Sequence, residues 1–279
     1  MIKEFAVDPA ALARWDDCRF ITSLFCAGNG RVISNFPKKW KRMAFEEAKK
    51  VAKDVELSRI VERLNCLDKT MLLSRGRPGG ENERWLDNTM EEHARFPFSS
   101  IISSVTNGDV ISVGDIDENK EPFFVSRSFP AERNAQSLAD AISILFQSGR
   151  HFKFIDPYFT STPRYIDPFR QFIEQISNRD MDSSNVVIEV IVKTEGDDAA
   201  DNRFIHNFTV AVNGFFPDSM ELRVSFFPEN LMHDRWVLSD WVGVSFGHGL
   251  GEGDEPATVN VTLLDELTRK RHWEQFSDA

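Results

Sequence analysis

The stretch from His233 to Leu250, HDRWVLSDWVGVSFGHGL, carries the most specific chemistry of this chain. It has the pattern H-x-R-x4-D-x6-G-H, which is filled by His233, Arg235, Asp240, Gly247 and His248. We expect a strand that begins at Met232, and because side chains alternate along a strand, His233 and Arg235 are expected on one face. An imidazole can attack phosphorus and a guanidinium can bind phosphate oxygens bidentately, so this pair suits a phosphate site.

A second stretch, about eighty residues upstream, has the character of a strand that ends in a turn. It runs from Phe152 to Phe159 and reads FKFIDPYF. Between the two stretches the sequence predicts a helix over 167–177, a strand over 186–192, a helix over 199–213 and a strand over 221–227. A further helix is predicted over 134–148 and a further strand over 258–263. Repeated helices and strands in this order favour a layered α/β domain.

The two stretches together resemble the phospholipase D (PLD) superfamily. That family has the signature H-x-K-x4-D-x6-G-S, from which this chain departs at Arg235, where the family has lysine, and at His248, where it often has serine. With one copy of the pattern and a G-x-G-L turn, the chain resembles the C-terminal domain of the eukaryotic MIT-domain proteins and PLD-like proteins of bacterial defence loci. The resemblance covers about residues 133–279 and implies an α/β/α domain with a mixed sheet.

The resemblance implies a phosphodiesterase that needs no metal or cofactor, and by family analogy a nuclease of a bacterial defence system. The site residues that it implies are the nucleophile His233, the phosphate anchor Arg235, the supporting Asp240 and His248, and the pocket-lining Gly247, Asp156 and Tyr158. Superfamily chemistry uses two histidines, one as nucleophile and one as acid. Because one pattern is present, we expect a homodimer with two patterns across a two-fold axis, or His248 as a substitute within the chain.

Other functions fit the same residues. The chain is alternatively a catalytically inactive PLD-like module that binds phosphate groups or a partner protein, with the N-terminal half as its adaptor. The departures from the signature, the single pattern and the acidic charge favour this alternative. A scaffold subunit of a larger complex is a third candidate. An H-x-R pair in an apolar strand is also compatible with a buried histidine and a structural ion pair between Arg235 and Asp240.

The charge of the chain limits its partners. The formal net charge is -11, so the molecule repels nucleic acid and anionic lipid at long range, and a polyanion must meet a local basic patch. Two segments offer such a patch, a cationic helix start and a glycine-rich loop. The residues proposed for polyanion contacts are Lys38, Lys39, Lys41, Arg42, Arg75 and Arg77.

Composition also bears on the compartment. Cys18, Cys26 and Cys66 are odd in number and lack metal-ligand spacing, which is typical of reduced thiols in a cytosolic protein. The start MIKEF lacks an apolar segment of the signal-peptide kind, and no apolar run approaches the roughly 18 residues of a membrane span. We therefore expect a cytoplasmic protein without a membrane span. A hydrophobic content of 41% in 279 residues supplies a core for one or two domains.

We expect two domains, an N-terminal α+β domain over 1–130 and the PLD-like domain over 131–279. In the first, the sequence predicts a short helix from Asp8, a strand over 19–25, a turn at 28–30 that forms a hairpin into 31–33, and a long helix to about residue 64. It further predicts a helix over 83–96, a hairpin through Asn107 and Gly108, and a strand over 123–125.

Overall fold

The computed structural model describes residues 1–79, 82, 84–104, 108, 110–179, 181, 183–253 and 258–277. Contacts divide the chain into two units, Met1–Ser126 and Arg127–Ala279. The division falls a few residues before the expected boundary at 130, because Ser128–Glu132 pairs as an edge strand in the sheet of the second unit. Each unit carries helices and its own sheet, so the α/β class expected from the sequence is confirmed.

The first unit is built on a sheet that, among the described residues, has five strands in the order β3-β2-β1-β4-β5. They are β1 (Lys3–Val7), β2 (Arg31–Ser34), β3 (Leu72–Leu73), β4 (Ser100–Ser103) and β5 (Val110–Ser112). The helices of this unit are α1 (Trp15–Leu24), α2 (Trp40–Val51), α3 (Asp54–Asn65) and α4 (Trp85–Arg95). Every strand pairing that the structure describes here is parallel, so the unit is α/β rather than the expected α+β.

Several expectations for this unit are wrong in detail. Instead of the strand expected over 19–25, residues 19–24 belong to helix α1 and Phe25 follows its end, because Cys18, Ile21 and Leu24 make one buried helical face. The strand that follows Gly30 does not return as a hairpin but runs parallel to β1. Strands β4 and β5 are also parallel, which excludes the second hairpin; Asn107 itself lies outside the described residues. Residues 123–125 form no strand.

Other expectations for the first unit hold. Asp8 caps a short 3-10 helix over Pro9–Leu12, and its carboxylate accepts the backbone N–H of Ala10 at 2.9 Å. The long predicted helix is present as two helices, α2 and α3, which are separated at Ala52 and Lys53. The helix predicted over 83–96 is α4. Buried apolar residues from β1 and the helices pack into one core, which includes Phe5, Phe25 and Trp40.

The second unit is built on a mixed sheet with seven described strands in the order β6-β12-β11-β10-β7-β8-β9. They are β6 (Ser128–Glu132), β7 (His151–Ile155), β8 (Val186–Lys193), β9 (Met220–Phe227), β10 (Trp236–Ser239), β11 (Gly243–Phe246) and β12 (Thr258–Leu263). The helices are α5 (Ala135–Ala141), α6 (Ser143–Phe146), α7 (Pro163–Ser177), α8 (Asp198–Val212) and α9 (Glu266–Gln275). The alternation predicted from the sequence is confirmed, although the helix expected over 134–148 is two short ones.

Strands β7, β8 and β9 are parallel, whereas β10 runs antiparallel to β7. Trp236 at the start of β10 lies opposite Ile155 at the end of β7, and Ser239 lies opposite Phe152. Residues just before β10 and just after β7 therefore meet at one edge of the sheet. This is the edge formed by the carboxyl ends of the parallel strands.

Candidate active site at the carboxyl edge of the second sheet

Two charged residues meet at this edge. Asp156 follows β7 directly and Arg235 precedes β10 directly, and the antiparallel register brings them together. The Nε atom of Arg235 lies 4.0 Å from Oδ1 of Asp156. In open α/β sheets, ligands bind outside the carboxyl ends of the strands. The position of this pair is therefore that of a candidate ligand site.

Asp156 is buried completely, and its carboxylate is held by the backbone. Oδ1 accepts the N–H of Tyr158 and Oδ2 accepts the N–H of Leu250, both at 2.9 Å. Burial raises the pKa of Asp156 above its ordinary range, although these two hydrogen bonds and the charge of Arg235 act in the opposite direction. The carboxylate thus joins the turn after β7 to the turn after β11.

The turn after β11 fits closely around Asp156. Gly249 has φ of 95°, and a Cβ atom there would lie 2.8 Å from Oδ2 of Asp156, so only glycine fits without a shift. Arg133 donates from Nη2 to the carbonyl oxygen of Gly251 at 3.0 Å. The backbone N–H of Phe246 donates to the carbonyl oxygen of Arg235 at 2.9 Å. These contacts fix the turn against the segment that carries Arg235.

Arg235 is held in place, and the described residues leave its hydrogen-bonding groups unused. Its Cζ lies 5.1 Å from the centroid of the Tyr158 ring, and its side chain is 23% exposed. Within the described part of the chain, no acceptor forms a hydrogen bond with its guanidinium, and the Nε atom is buried. A buried donor without an acceptor costs about 1–3 kcal/mol. The guanidinium therefore offers N–H groups to a ligand.

Lys193 is a further cation at this edge that was not predicted from the sequence. It ends β8, the strand beside β7, and its Nζ lies 5.2 Å from the centroid of the same half-exposed Tyr158 ring. Nζ also lies 3.4 Å from Glu229 and 4.0 Å from Glu195. The sequence does indicate this position, because Lys193 stands at the end of a buried parallel strand and so falls at the same edge as Asp156. Arg133, which lies on a distant segment, carried no such signal.

Asp240, the expected supporting carboxylate, lies elsewhere. It follows β10 at the opposite edge of the sheet, where its N–H donates to the carbonyl oxygen of His151 at 3.2 Å. Asp240 follows Arg235 by five positions of extended chain, which corresponds to roughly 16 Å. Asp240 therefore does not support the phosphate anchor, and a structural ion pair between Arg235 and Asp240 is also excluded. The pattern spacing could not show this, because it does not reveal where the strand begins.

The two histidines of the pattern are both exposed. His233 lies before the strand, which begins at Trp236 rather than Met232, so the expectation that His233 and Arg235 share a strand face is wrong. His248 lies on the exposed turn between Gly247 and Gly249. Among the described residues, the side chains of His233 and His248 have neither a hydrogen bond nor an ion pair. Their catalytic roles stay predictions.

The residues proposed for polyanion contacts fall into two groups. Arg77 is buried in an ion-pair network with Glu4, at 2.9 Å, and Glu92, at 3.0 Å, and Arg75 pairs with Glu4 at 3.2 Å. Both arginines are thus occupied within the first unit, which corrects their assignment to polyanion binding.

The second group lies at the start of α2. Lys41 donates to the carbonyl oxygens of Asn65 and Leu67, and Arg42 pairs with Glu46 at 2.9 Å. Lys38 and Lys39 are exposed, and with Arg42 and Glu46 they line an open depression of about 540 Å³. Polyanion binding by these two lysines stays a prediction.

Within the ranges given above, the structure shows no group of three His, Cys, Asp or Glu side chains placed to hold a metal ion. No helix among the described residues has the length and apolar character to cross a membrane.

No family model matches the chain, and no curated protein matches it. Among solved structures, the chain is similar to TrmBL2, an archaeal chromatin protein described as showing a novel mode of DNA binding, with a TM-score of 0.29 and 10% sequence identity. The match covers 57% of this chain and 54% of TrmBL2, so this chain spans about half the length of that protein. A likeness of this size carries no argument about function.

Proposed function

We propose that the second unit binds a phosphate group through Arg235. The observation that carries this proposal is the guanidinium of Arg235, which is held at the ligand-binding edge without a hydrogen-bond acceptor among the described residues. A planar guanidinium matches two phosphate oxygens bidentately. Asp156 orients it across 4.0 Å, a separation that leaves the N–H groups available.

The surrounding charges favour phosphate as the ligand. Lys193 lies against the same aromatic ring as Arg235, and the charge of Arg133 is close enough to oppose part of the rise that burial causes in the pKa of Asp156. The carboxylate of Asp156 carries one negative charge and so balances at most one of the two arginine charges that act on it, those of Arg235 and Arg133. The resemblance to the phospholipase D superfamily points to the same ligand chemistry.

Calorimetric titration of the full chain with orthophosphate and with dimethyl phosphate tests the proposal. We expect Arg235→Gln to weaken binding at least tenfold, because a bidentate charged contact is lost. Arg150→Gln is the matched control, since Arg150 precedes β7 at the opposite edge and is exposed. Equal affinity of the wild type and Arg235→Gln would exclude Arg235 as the phosphate anchor.

A phosphodiesterase is the second candidate, and the exposure of His233 two residues before the anchor favours it. In this reaction an imidazole nitrogen forms a bond to phosphorus while the bond from phosphorus to the leaving oxygen breaks, and a second histidine protonates that oxygen. Water then breaks the nitrogen–phosphorus bond and restores the imidazole. The second histidine is His233 of a second copy or His248. By family analogy the diester is nucleic acid, cleaved in the cytoplasm during bacterial defence.

Cleavage of bis(4-nitrophenyl) phosphate and of labelled single- and double-stranded DNA and RNA, in the presence of a chelator, tests this candidate. We expect turnover that is lost in His233→Ala and kept in His206→Ala, whose histidine is exposed on helix α8. Light scattering of the same sample measures its mass and so shows whether a second copy is present to supply the second histidine. Turnover that persists in His233→Ala would exclude His233 as the nucleophile, and an inert wild type that still binds phosphate would leave the site as a binding module.

A further inference from the structure

We infer that this site takes a ligand with two neighbouring phosphate groups, and that Lys193 binds the second of them. The inference rests on the proposed function, in which Arg235 binds the first phosphate. The second phosphate contact defines the class of ligand, which the contact with Arg235 alone does not.

The contacts of Tyr158 set an upper limit on the separation of the two cations. Arg235 Cζ and Lys193 Nζ lie 5.1 and 5.2 Å from the same ring centroid, so they are no farther apart than about twice that distance. Both side chains leave from the carboxyl edge, one before β10 and the other at the end of β8. This upper limit is compatible with cations that contact the two phosphates of a pyrophosphate group or adjacent phosphates of a polynucleotide strand.

The local charges favour an added anion between these cations. Two like charges held against one ring repel each other, and the buried carboxylate of Asp156 is already engaged by two backbone N–H groups. An anionic group that contacts both cations reduces this repulsion. Two phosphates supply one negative group to each cation.

The present partners of Lys193 do not prevent this. Glu229 is 58% exposed and Glu195 is 65% exposed, whereas Lys193 is only 24% exposed and is therefore held by its surroundings. Exposed ion pairs stabilise by about 0–1 kcal/mol, so a phosphate can replace these carboxylates. The lysine stays in place while its partners turn towards solvent.

Titration of the full chain with orthophosphate and pyrophosphate tests the inference. We expect the wild type to bind pyrophosphate at least tenfold more tightly than orthophosphate. Lys193→Gln is expected to remove this preference and to change orthophosphate affinity less than threefold, whereas Arg235→Gln weakens binding of both. Lys270→Gln is the matched control, because Lys270 is exposed on helix α9 and also lies 3.4 Å from a glutamate, Glu266.

The outcomes separate this inference from the function on which it rests. If the wild type binds neither anion, the proposed function fails. If the wild type binds both anions equally, or if Lys193→Gln weakens both equally, the phosphate site stands and the second subsite is excluded. Glu229→Gln is expected to tighten pyrophosphate binding, and weaker binding by that variant also counts against the inference. Adenosine diphosphate and the dinucleotide pTpT then distinguish a pyrophosphate group from consecutive phosphodiesters, and a Lys193-dependent gain with either supports the inference.

Discussion

Asp156 combines two tasks at the scale of the single residue. Its two oxygens join the backbone after β7 to the backbone after β11, and its charge orients Arg235. A carboxylate that accepts two N–H groups can hold an arginine nearby without consuming the hydrogen bonds of that arginine. The fold thereby holds an arginine whose guanidinium has no hydrogen-bond acceptor among the described residues.

The pH dependence of stability reports on this carboxyl group. Because burial raises the pKa of Asp156, the folded state holds the proton more tightly than the unfolded state. Its contribution to the free energy of unfolding is present below the ordinary pKa of 3.8 and is lost as pH rises through the raised pKa. We expect the unfolding free energy of the wild type minus that of Asp156→Asn to fall as pH rises. Denaturant unfolding across a pH series measures this difference. A difference that grows with pH would show that Arg235 dominates over burial.

Gly249 tests the packing of the turn against Asp156. Gly249→Ala places a methyl group 2.8 Å from Oδ2 of Asp156 and also strains a backbone with φ of 95°. The control is Gly196→Ala, where φ is 73° and no atom lies within 4 Å of the new methyl group. We expect the control to lose about 1 kcal/mol of stability from strain alone, and Gly249→Ala to lose about 1–2 kcal/mol more together with phosphate affinity. Equal losses in thermal unfolding would mean that the clash is relieved without cost.

At the scale of the element, helix α9 connects the sheet to the segment before Arg235. Lys153, buried on β7, donates to the carbonyl oxygen of Phe276 at the end of the helix and lies 3.3 Å from Glu189. Gln275 donates to the carbonyl oxygen of Leu231 at 2.9 Å. Burial favours a raised pKa of Glu189, but hydrogen bonds from His151 and Ser225 and the charge of Lys153 outweigh it and lower the pKa.

Removal of this cation tests how firmly α9 is held. Lys153→Met leaves the Glu189 carboxylate buried without its lysine, and we expect a loss of about 3–5 kcal/mol in the free energy of unfolding. The double variant Lys153→Met with Glu189→Gln is the control and should recover part of that loss. Hydrogen exchange of the α9 amides should accelerate in the single variant. An unchanged denaturation midpoint would show that the helix is held by apolar contacts alone.

Elements were predictable where local periodicity agreed with packing. The apolar run of β8 predicted a buried strand, and the apolar residues of α7 at helical spacing predicted an amphipathic helix. Residues 19–25 were misread because Phe20 and Ile21 have strand propensity, while burial at helical spacing decided the outcome. Parallel pairing joins residues that are far apart in sequence, so local sequence patterns could not predict the parallel sheet of the first unit. The glycine turns of this unit were therefore wrongly predicted as hairpin turns.

At the scale of the whole molecule, acidic charge and local cations oppose each other. The net charge of -11 repels polyanions at distances beyond a local site. The sequence predicted this balance and the α/β class, because both depend on composition and element order. It could not show that Arg77 is buried, and Arg75 half-buried, in ion pairs with Glu4, since burial depends on the folded sheet.

Lys38 and Lys39 remain the candidates for polyanion contact in the first unit. If both contact a single-stranded oligonucleotide, Lys38→Gln with Lys39→Gln should reduce the slope of log affinity against log salt by about 0.7 per lysine. Lys49→Gln with Lys53→Gln removes the same charge near the other end of helix α2 and is the control. Fluorescence anisotropy across a salt series measures both variants in the full chain. An equal change of slope in both pairs would mean that net charge alone governs the affinity, because a local contact changes only its own pair.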